Sequence, residues 1–374
     1  MLKRRMIIAA GGTGGHFYPG FALAAELRSR GWQVLFIVKK DDIARPALEE
    51  ADLPYAEIDM TSLPRSFNPA AHAAFLLKFF KALCLARRIV ADFRPEAVLG
   101  TGSYVAFPVL LAARLAGVAA CIHESNAKFG VGNYLAGFFC DLAALGLPVR
   151  NNPFSARSVL AGTPVRAAFA AAPAKDAALA ALGLAPGKLT VLVFGGSQGA
   201  RRLNTAAVKS AAALNGRFQL IHVTGRKNFS DVVAAYAAAG LSGTAWLKVF
   251  DYREDMPRLY AAADLVIARS GAGTLAELAL LKKPALLVPL PTSAGGHQKE
   301  NALVLADKGA AVCLEEGPDF EDSLTRRLKE LIDEPARAAG MAAKFTEAGI
   351  PDALKAAGLL ADIIEAGTKK YRRK

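Results

Sequence analysis

The chain has few residues of the kinds that form disulfides or hold structural metals. Its 374 residues include four cysteines, Cys84, Cys121, Cys140 and Cys313, with no Cys-x-x-Cys pair among them. No histidine stands with a cysteine at the spacing typical of a zinc site. Because disulfides are rare in reducing compartments, this usage favours a cytoplasmic protein with buried thiols and no structural zinc.

Three nucleotide-binding signatures are also missing. No glycine-rich loop continues into Gly-Lys-Ser or Gly-Lys-Thr, so there is no Walker A motif. A clean Gly-x-Gly-x-x-Gly with an acidic residue about 20 positions on is absent, which disfavours a dehydrogenase. No Asp-x-Asp occurs. An enzyme that uses a nucleotide sugar without this metal-binding pair can stabilise its departing diphosphate with helix N-termini, so we expect no metal and no cofactor.

No apolar run makes a convincing membrane span. The longest, residues 104–122, contains Pro108, Arg114 and Gly117 and predicts a core helix followed by a strand. The basic residues 1–5 resemble the start of a signal peptide, but the apolar run behind them is short and enters a glycine-rich loop at once. We therefore expect no targeting peptide.

The positive charge is distributed unevenly. The net charge is +13, with 18 basic against 12 acidic residues in 1–165, 23 against 21 in 166–367, and five basic residues in the tail 368–374. Such asymmetry favours an anionic surface, either nucleic acid or phospholipid headgroups. Because no aromatic and basic nucleic-acid module is present, we predict a membrane surface and no nucleic-acid partner.

Two glycine-rich turns, one in each half of the chain, follow short apolar runs. Residues 11–16 (GGTGGH) follow the run 6–10, and residues 195–199 (GGSQG) follow the run 189–194. Each turn precedes a helix-like segment, and Pro19 is predicted in the first turn of the first helix. Glycines let the backbone approach an anion, which the helix amides then bind. The pattern predicts two phosphate-binding α/β domains, although either turn alone could simply connect a strand to a helix.

Strand-like runs alternate with helical segments along the rest of the chain. This alternation is typical of parallel sheets with right-handed crossovers, which bind ligands at the carboxyl ends of their strands. The remaining predicted strands are 33–38, 96–99, 119–123, 142–145, 218–223, 246–250, 265–268, 285–288 and 311–314.

The length and this repetition predict an α/β protein of two domains. We expect two Rossmann-like domains with parallel sheets facing one cleft. The predicted boundaries are 1–165 for the N-terminal domain, 166–350 for the C-terminal domain, and 351–374 for a last helix and basic tail that pack back on the N-terminal domain.

Residues 75–88 form an aromatic and basic segment on one predicted helix. One interpretation is a core helix with a solvated basic edge. The other is an apolar patch that docks on a bilayer, because apolar residues cover more of the helix than burying one face requires. The residues predicted for this membrane patch are Phe75, Leu76, Lys78, Phe79, Phe80, Lys81 and Arg88.

Two motifs in the second half carry polar groups at predicted helix starts. Residues 269–277 (RSGAGTLAE) follow the strand that ends near Ala268, and residues 297–302 (HQKENA) begin another helix. Glu277 lies about one turn inside its helix, where its carboxylate can accept hydrogen bonds from two sugar hydroxyls. The alternative is a structural capping role.

Two of the five histidines are candidates for a catalytic base. His16 ends the first glycine-rich turn and His123 ends a predicted strand, so both are expected at the ligand-binding edge. A base with a pKa near neutrality is suited to activating a sugar hydroxyl.

Six motifs together resemble those of the MurG family of bacterial peptidoglycan glycosyltransferases. In order along the chain they are GGTGGH, HESNA at 123–127, GTPVR at 162–166, GGSQGA, RSGAGTLAE and HQKENA. The resemblance covers nearly the whole chain and implies a GT-B architecture. It also implies inverting transfer of N-acetylglucosamine from UDP-GlcNAc to the C4 hydroxyl of the muramoyl residue of lipid I, which gives lipid II. The implied location is the inner face of the cell membrane, with peripheral attachment.

The resemblance implies roles for individual residues. His16 is the favoured base. Glu277 would hold the ribose, and the backbone near Tyr252 and Arg253 the uracil. The turn formed by Ala272, Gly273, Thr274, Leu275 and Ala276 would bind the diphosphate. Further contacts of UDP-GlcNAc would be Thr13, Gly14, Gly15, Asn126, Arg166, Ser197, Gln198 and Gln298.

Two departures from the family pattern affect single contacts, because Ser125 stands where Gln is common and Thr163 where Asn is frequent.

Other functions stay open at this point. A related lipid glycosyltransferase that makes glycosyldiacylglycerol would share the fold and the need for a membrane. A hydrolysing UDP-sugar epimerase would need no acceptor patch. A non-catalytic nucleotide-sugar binding protein would not turn over a lipid acceptor.

Overall fold

A computed structural model describes residues 4–64, 67–196 and 199–371. The chain divides into two units. The first unit contains Met1–Val165 and Pro351–Lys374, and the second contains Arg166–Ile350. Each unit has its own parallel sheet and its own core.

The strands of the described residues are short and mostly apolar. Strands that are buried on both faces favour such unbroken runs over alternation. Their bounds are β1 Arg5–Ala9, β2 Gln33–Lys39, β3 Tyr55–Ile58, β4 Ala97–Gly100, β5 Ala119–Glu124, β6 Leu142–Leu145, β7 Ser158–Leu160, β8 Thr190–Phe194, β9 Gln219–Val223, β10 Leu247–Phe250, β11 Leu265–Ala268, β12 Ala285–Leu287 and β13 Ala311–Cys313.

Helices connect most of these strands. Their bounds are α1 Gly14–Ser29, α2 Arg45–Glu50, α3 Pro69–Phe93, α4 Ala106–Leu115, α5 Val131–Gly137, α6 Lys175–Leu182, α7 Arg201–Ala213, α8 Phe229–Ala238, α9 Met256–Ala262, α10 Ala272–Leu281, α11 His297–Ala306, α12 Phe320–Asp333, α13 Pro335–Ala343 and α14 Ala356–Tyr371.

Six strands have the same order in both sheets, and the first sheet has β7 in addition. Within the described ranges the first sheet has the order β3-β2-β1-β4-β5-β6-β7 and the second β10-β9-β8-β11-β12-β13, and all their pairings are parallel. In each sheet the chain moves outward from a central pair, first to one side and then to the other. Between the central strands, β1 and β4 or β8 and β11, the crossovers diverge and leave a crevice at the carboxyl edge.

Both faces of the first sheet are covered by helices. Met6 and Ile8 of β1 point to a core that contains Leu23 of α1. Ile7, the residue between them, points to the opposite core, which contains Val90 of α3. This alternation along one strand produces a three-layer unit, because successive side chains leave a strand on opposite faces.

The C-terminal helix α14 packs in the first of these cores, beside α1. Leu360 and Ile364 are buried there. The indole Nε1 of Trp32 donates a hydrogen bond of 2.9 Å to Glu365, and the guanidinium of Arg4 lies 4.0 Å from the centre of the Trp32 ring. The last helix of the chain is therefore part of the first unit.

Apart from strand ends that differ by one residue, the predicted secondary structure differs from the structure in two respects. The edge strands β3 and β7 were not predicted, because each is very short and only half-buried. The prediction that Pro19 lies in the first turn of a helix was wrong, because α1 begins at Gly14 and Pro19 lies inside it. Proline lacks an N–H, so it costs this helix one backbone hydrogen bond near its start.

The packing of α14 predicts that two adjacent leucines contribute very differently to the free energy of unfolding. Leu360→Ala should lower the free energy of unfolding by about 2–5 kcal/mol, because it leaves a cavity in the core. Leu359 is 39% exposed and Leu360 is fully buried. The control Leu359→Ala should therefore change stability by less than about 1 kcal/mol. Urea denaturation measures both, and equal effects would contradict the placement of α14.

Candidate active site

The first glycine-rich turn is held by a buried carboxylate. Gly11 and Gly12 have φ angles of 124° and 79°, which favour glycine. The Gly12 N–H donates a 2.7 Å hydrogen bond to Oδ2 of Asp42, and a Cβ on Gly11 would lie 2.5 Å from the same oxygen. Asp42, which sequence reasoning missed, follows β2 and fixes this turn. An acidic residue just after the second strand was the available signal.

His16 lies in the first turn of α1, between the ends of β1 and β4. Its ring packs against Gly102, because a Cβ there would lie 3.2 Å from its Cε1. Thr13 is the N-cap residue in extended conformation, and Thr13 and Gly15 are exposed while Gly14 and His16 are half-buried. The predicted residues of this turn thus share one helix N-terminus at the crevice of the first sheet.

Glu124 organises the loop after β5. The carboxylate is buried and accepts four hydrogen bonds of 2.9–3.0 Å. The donors are the N–H and the side-chain amide of Asn126, the N–H of Gly130 and the side-chain amide of Asn133. Asn126 is half-buried at this edge. Since every one of these bonds is internal, Glu124 has a structural role that places Asn126.

His123 is fully buried, unlike His16. Nε2 lies 3.0 Å from the carbonyl oxygen of Gly162 and Nδ1 lies 3.3 Å from Oγ of Ser125. In the matching tautomer, Nε2–H donates to the carbonyl and the Ser125 hydroxyl donates to Nδ1. Burial lowers the pKa of His123. With both ring nitrogens engaged inside the protein, the geometry does not support His123 as the base.

The two departures from the family pattern lie against the same glycine. A Cβ on Gly146 would lie 2.2 Å from Oγ1 of Thr163 and 2.9 Å from Cα of Ser125. Within the described residues of the first unit, three buried side-chain atoms lack a hydrogen-bond partner, namely Oγ1 of Thr163, Oγ of Ser103 and Oδ1 of Asn133. Such atoms are rare in native proteins. All three belong to segments that follow or flank the carboxyl ends of the first sheet.

In the second unit, α10 begins directly at the carboxyl end of β11. Gly271 is its N-cap residue in extended conformation. Ala272, Leu275 and Ala276 are buried, Thr274 is half-buried and Gly273 is exposed. The amides of this first turn are unpaired within the helix, so they can bind an anion.

Arg269, just before α10, connects the segments that follow the three strands β11, β12 and β13. The buried guanidinium pairs with Glu316 at 2.7 Å, beyond β13, and donates hydrogen bonds of 3.2 Å to the carbonyls of Val288 and Pro289, beyond β12. Ser270 donates from Oγ to the carbonyl of Gln298 at 2.7 Å. These contacts bring Gln298 to the edge where α10 begins.

Glu277 lies one turn further along α10 and contacts a buried tyrosine. The hydroxyl of Tyr260 donates a 2.8 Å hydrogen bond to Oε2 of Glu277. Burial raises the pKa of the half-buried Glu277 to about 7, although this hydrogen bond and the nearby Arg166 lower it. Arg166 donates a 3.0 Å hydrogen bond to the carbonyl of Glu254. Sequence reasoning missed Tyr260, which lies in an unremarkable helical segment.

The residues after β10 form a further part of this edge. Tyr252 is exposed, with the guanidinium of Arg226 lying 4.6 Å from the centre of its ring. The side chain of Arg253 is engaged with Asp255 at 2.6 Å, which leaves the backbone as its means of contacting a base. The predicted contacts Ser197 and Gln198 lie outside the described residues.

The predicted membrane patch on α3 is only partly exposed. Phe75 and Phe79 are half-buried and pack against the core, so for these two rings a role in membrane contact stays a prediction. Leu76, Leu77 and Phe80 are 51%, 59% and 58% exposed, and the side chains of Lys81 and Arg88 are exposed as well. Lys78 pairs with Asp59 at 2.9 Å. A 25-residue helix that packs on one side leaves its other apolar side in solvent.

No helix in the described part of the chain combines the length and hydrophobicity needed to cross a membrane. In residues 4–64, 67–196 and 199–371, no group of three or more His, Cys, Asp and Glu side chains is arranged to hold a metal ion.

Two Rossmann-like units with helix N-termini at the carboxyl edges of their sheets are typical of the GT-B class of glycosyltransferases. Residues 6–144 match the glycosyltransferase family 28 N-terminal domain, and residues 190–357 match the C-terminal domain of the same family. The chain belongs to glycosyltransferase family 28 and, within it, to the MurG family, which confirms the resemblance of the motifs.

The relatives that support this assignment align over nearly their full lengths. The UDP-N-acetylglucosamine–N-acetylmuramyl-(pentapeptide) pyrophosphoryl-undecaprenol N-acetylglucosamine transferase of Elusimicrobium minutum is 38% identical, covering 97% of this chain and 99% of the relative. The enzyme of the same name from Halothermothrix orenii is 34% identical, covering 93% and 95%.

Solved structures confirm the predicted fold class. The crystal structure of Acinetobacter baumannii MurG has a TM-score of 0.79 and 28% identity, covering 97% of this chain and 99% of that one. The calicheamicin glycosyltransferase CalG4 has a TM-score of 0.67 at 16% identity, covering 99% of both chains, which is a likeness of fold alone.

The raised pKa of Glu277 predicts a pH-dependent stability difference. Because folding raises this pKa from 4.5 to about 7, ionisation of Glu277 lowers the free energy of unfolding progressively as the pH rises from about 4.5 to about 7. The loss is constant above pH 7 and absent below about pH 4.5. Glu277→Gln should therefore gain stability relative to the wild type between pH 5 and pH 8, on the order of 1–3 kcal/mol. Urea midpoints at both pH values measure this difference.

The exposed Glu347 offers the control for this experiment, and Glu347→Gln should show no such gain. A wild type that is more stable than Glu277→Gln at pH 8 would instead assign the ionised carboxylate a structural capping role.

Proposed function

We propose that this protein transfers N-acetylglucosamine from UDP-GlcNAc to the C4 hydroxyl of the muramoyl residue of lipid I, with inversion at the anomeric carbon. The base removes the hydroxyl proton, and the hydroxyl oxygen forms a bond to the anomeric carbon. The bond from that carbon to the diphosphate oxygen breaks, and UDP leaves. The products are lipid II and UDP.

One observation carries this proposal. The full-length relatives at 34–38% identity are named as transferases of this kind, and this chain has the family motifs at the carboxyl edges of two Rossmann-like sheets. Those edges are where nucleotides bind in such folds.

The second unit is suited to the donor. Glu277 can accept hydrogen bonds from the ribose hydroxyls, and the first turn of α10 can stabilise the diphosphate as negative charge develops on it. We assign contact with the uracil to the backbone near Tyr252 and Arg253. Gln298 and Arg166 complete the donor contacts expected in this unit.

The first unit is suited to the acceptor and to the sugar being transferred. His16 is half-buried at the N-terminus of α1, whereas His123 is enclosed, so we assign the base to His16. Thr13, Gly14 and Gly15 offer backbone amides beside it, and Asn126 offers an amide held by Glu124. These groups can bind anionic and hydroxyl oxygens.

The proposed attachment to a membrane rests on the exposed surface of α3. The surface formed by Leu76, Leu77 and Phe80, with Lys81 and Arg88 near it, combines exposed apolar area with positive charge. This combination favours adsorption to an anionic bilayer. We place the protein on the cytoplasmic face of the cell membrane, where its lipid acceptor would be reached.

Incubation with labelled UDP-GlcNAc and a short-chain lipid I analogue tests the function directly. A labelled disaccharide attached to the lipid analogue is expected. Transfer to diacylglycerol in its place would indicate the alternative lipid glycosyltransferase. Nucleotide-sugar binding without any turnover would indicate a binding protein.

The assignment of the base predicts a selective loss of turnover. His16→Ala should lower kcat by roughly 10²–10⁴, with nearly unchanged affinity for UDP-GlcNAc, because a base acts mainly in the transition state. Steady-state kinetics with the soluble acceptor and calorimetric titration of the donor separate the two effects. If the acceptor KM rises while kcat holds, His16 binds the acceptor diphosphate and the base is another group.

The exposed side of α3 predicts separable effects on adsorption and turnover. Leu76→Ser, Leu77→Ser and Phe80→Ser combined should release the protein from anionic vesicles, because about 25 cal/mol is lost per Å² of apolar area no longer buried. Turnover on a soluble acceptor should persist.

The matched control is Leu354→Ser with Leu359→Ser, since both leucines are 39% exposed and lie in the segment around α14. Vesicle sedimentation should show binding like that of the wild type. Equal release by both sets of substitutions would contradict a specific membrane surface on α3.

A further inference from the structure

We infer that Tyr260 is a positioning residue for the nucleotide: its hydroxyl holds the Glu277 carboxylate in the orientation that accepts hydrogen bonds from the ribose diol. The inference rests on the proposed donor role of Glu277. It adds a residue that neither the motifs nor the relatives assign.

The geometry of Tyr260 leaves its hydroxyl with little freedom. The side chain is fully buried on α9, with its ring centre 5.8 Å from those of Phe169 and Phe194. Edge-to-face packing on two sides fixes the ring. The hydroxyl, on α9, donates a 2.8 Å hydrogen bond to Oε2 of Glu277, which lies on α10. A residue of α9 therefore orients a carboxylate of α10.

The contact also favours the charged form that binding requires. A carboxylate accepts two ribose hydroxyls better than a protonated carboxyl, which has lost acceptor capacity. Burial favours protonation of Glu277, whereas the Tyr260 hydrogen bond and the charge of Arg166 favour ionisation. Tyr260 and Arg166 are the charged or titratable groups that face this carboxylate among the described residues.

A second buried tyrosine in the same unit offers a matched control. Tyr236 on α8 is also buried and places its hydroxyl 2.8 Å from Nδ1 of His222, which in turn lies 3.1 Å from Asn204. This network contains no residue of the candidate site. Tyr236→Phe therefore removes the same atom from an equally buried ring without touching Glu277.

The experiment measures UDP and 2′-deoxy-UDP binding by calorimetry from pH 6 to pH 9, with the full chain and no acceptor. The wild type should prefer UDP, and its UDP affinity should rise with pH through the ionisation of Glu277. Tyr260→Phe should lose roughly tenfold in UDP affinity at pH 7, the size expected for one hydrogen bond to a charged group. The midpoint of the pH profile should move upward by about one unit.

The preference for UDP over 2′-deoxy-UDP should also shrink in Tyr260→Phe, because the diol contact is then poorly oriented. Tyr236→Phe should leave both the midpoint and the preference unchanged. A buried tyrosine that only packs would alter stability and leave these two readouts as in the wild type.

A second variant guards against simple misfolding of Tyr260→Phe. Fluorination of Tyr260 at ring position 3, by site-specific incorporation, keeps the shape and makes the hydroxyl a stronger donor, so the midpoint should move downward. If Glu277→Gln loses affinity but neither Tyr260 variant moves the midpoint, the positioning role is overturned. If Glu277→Gln binds UDP like the wild type, the donor role of Glu277 fails and the inference with it.

Discussion

The parallel strand order is the constraint on which both halves of this molecule depend. In each sheet the chain leaves the central strands toward opposite faces, so the carboxyl edge between β1 and β4, or between β8 and β11, is not closed by a crossover. The groups of the candidate site lie at these carboxyl edges. They are the glycine-rich turn, the N-termini of α1 and α10, and the polar side chains beside them. The first unit also contains α14, which packs in the same core as β1 and α1 although it lies far away in the sequence.

Two carboxylates at these edges, the buried Glu124 and the half-buried Glu277, show how structural and functional roles differ. Glu124 accepts four internal hydrogen bonds, so its charge is fully used in holding the loop of Asn126. Glu277 has the Tyr260 hydroxyl as its hydrogen-bond donor among the described residues, and its pKa is raised to about 7. A half-buried carboxylate with so few hydrogen-bond donors lowers the stability of the fold when it is ionised, which is typical of residues retained for binding.

Much of this arrangement could be predicted from the sequence, because glycine-rich turns after apolar runs have local signatures. The strands β6 and β11 were predicted with their observed bounds, and the parallel α/β class followed from the alternation. Contacts between distant segments have no such signature. Asp42 acts on Gly12 and Tyr260 acts on Glu277, and only the fold brings these residues together. The inward direction of Phe75 and Phe79 depends on where α4 and the core lie. Edge strands such as β7 are too short to leave a pattern.

The central claim is that the second unit binds the nucleotide while the first carries the base and the acceptor groups. Hydrogen exchange with UDP, which lacks the sugar, tests it most directly. UDP should slow exchange of the amides in 251–254 and 271–277, and a lipid I analogue alone should slow exchange in 11–16 and 124–130. Protection of 11–16 by UDP without protection at 271–277 would contradict the account.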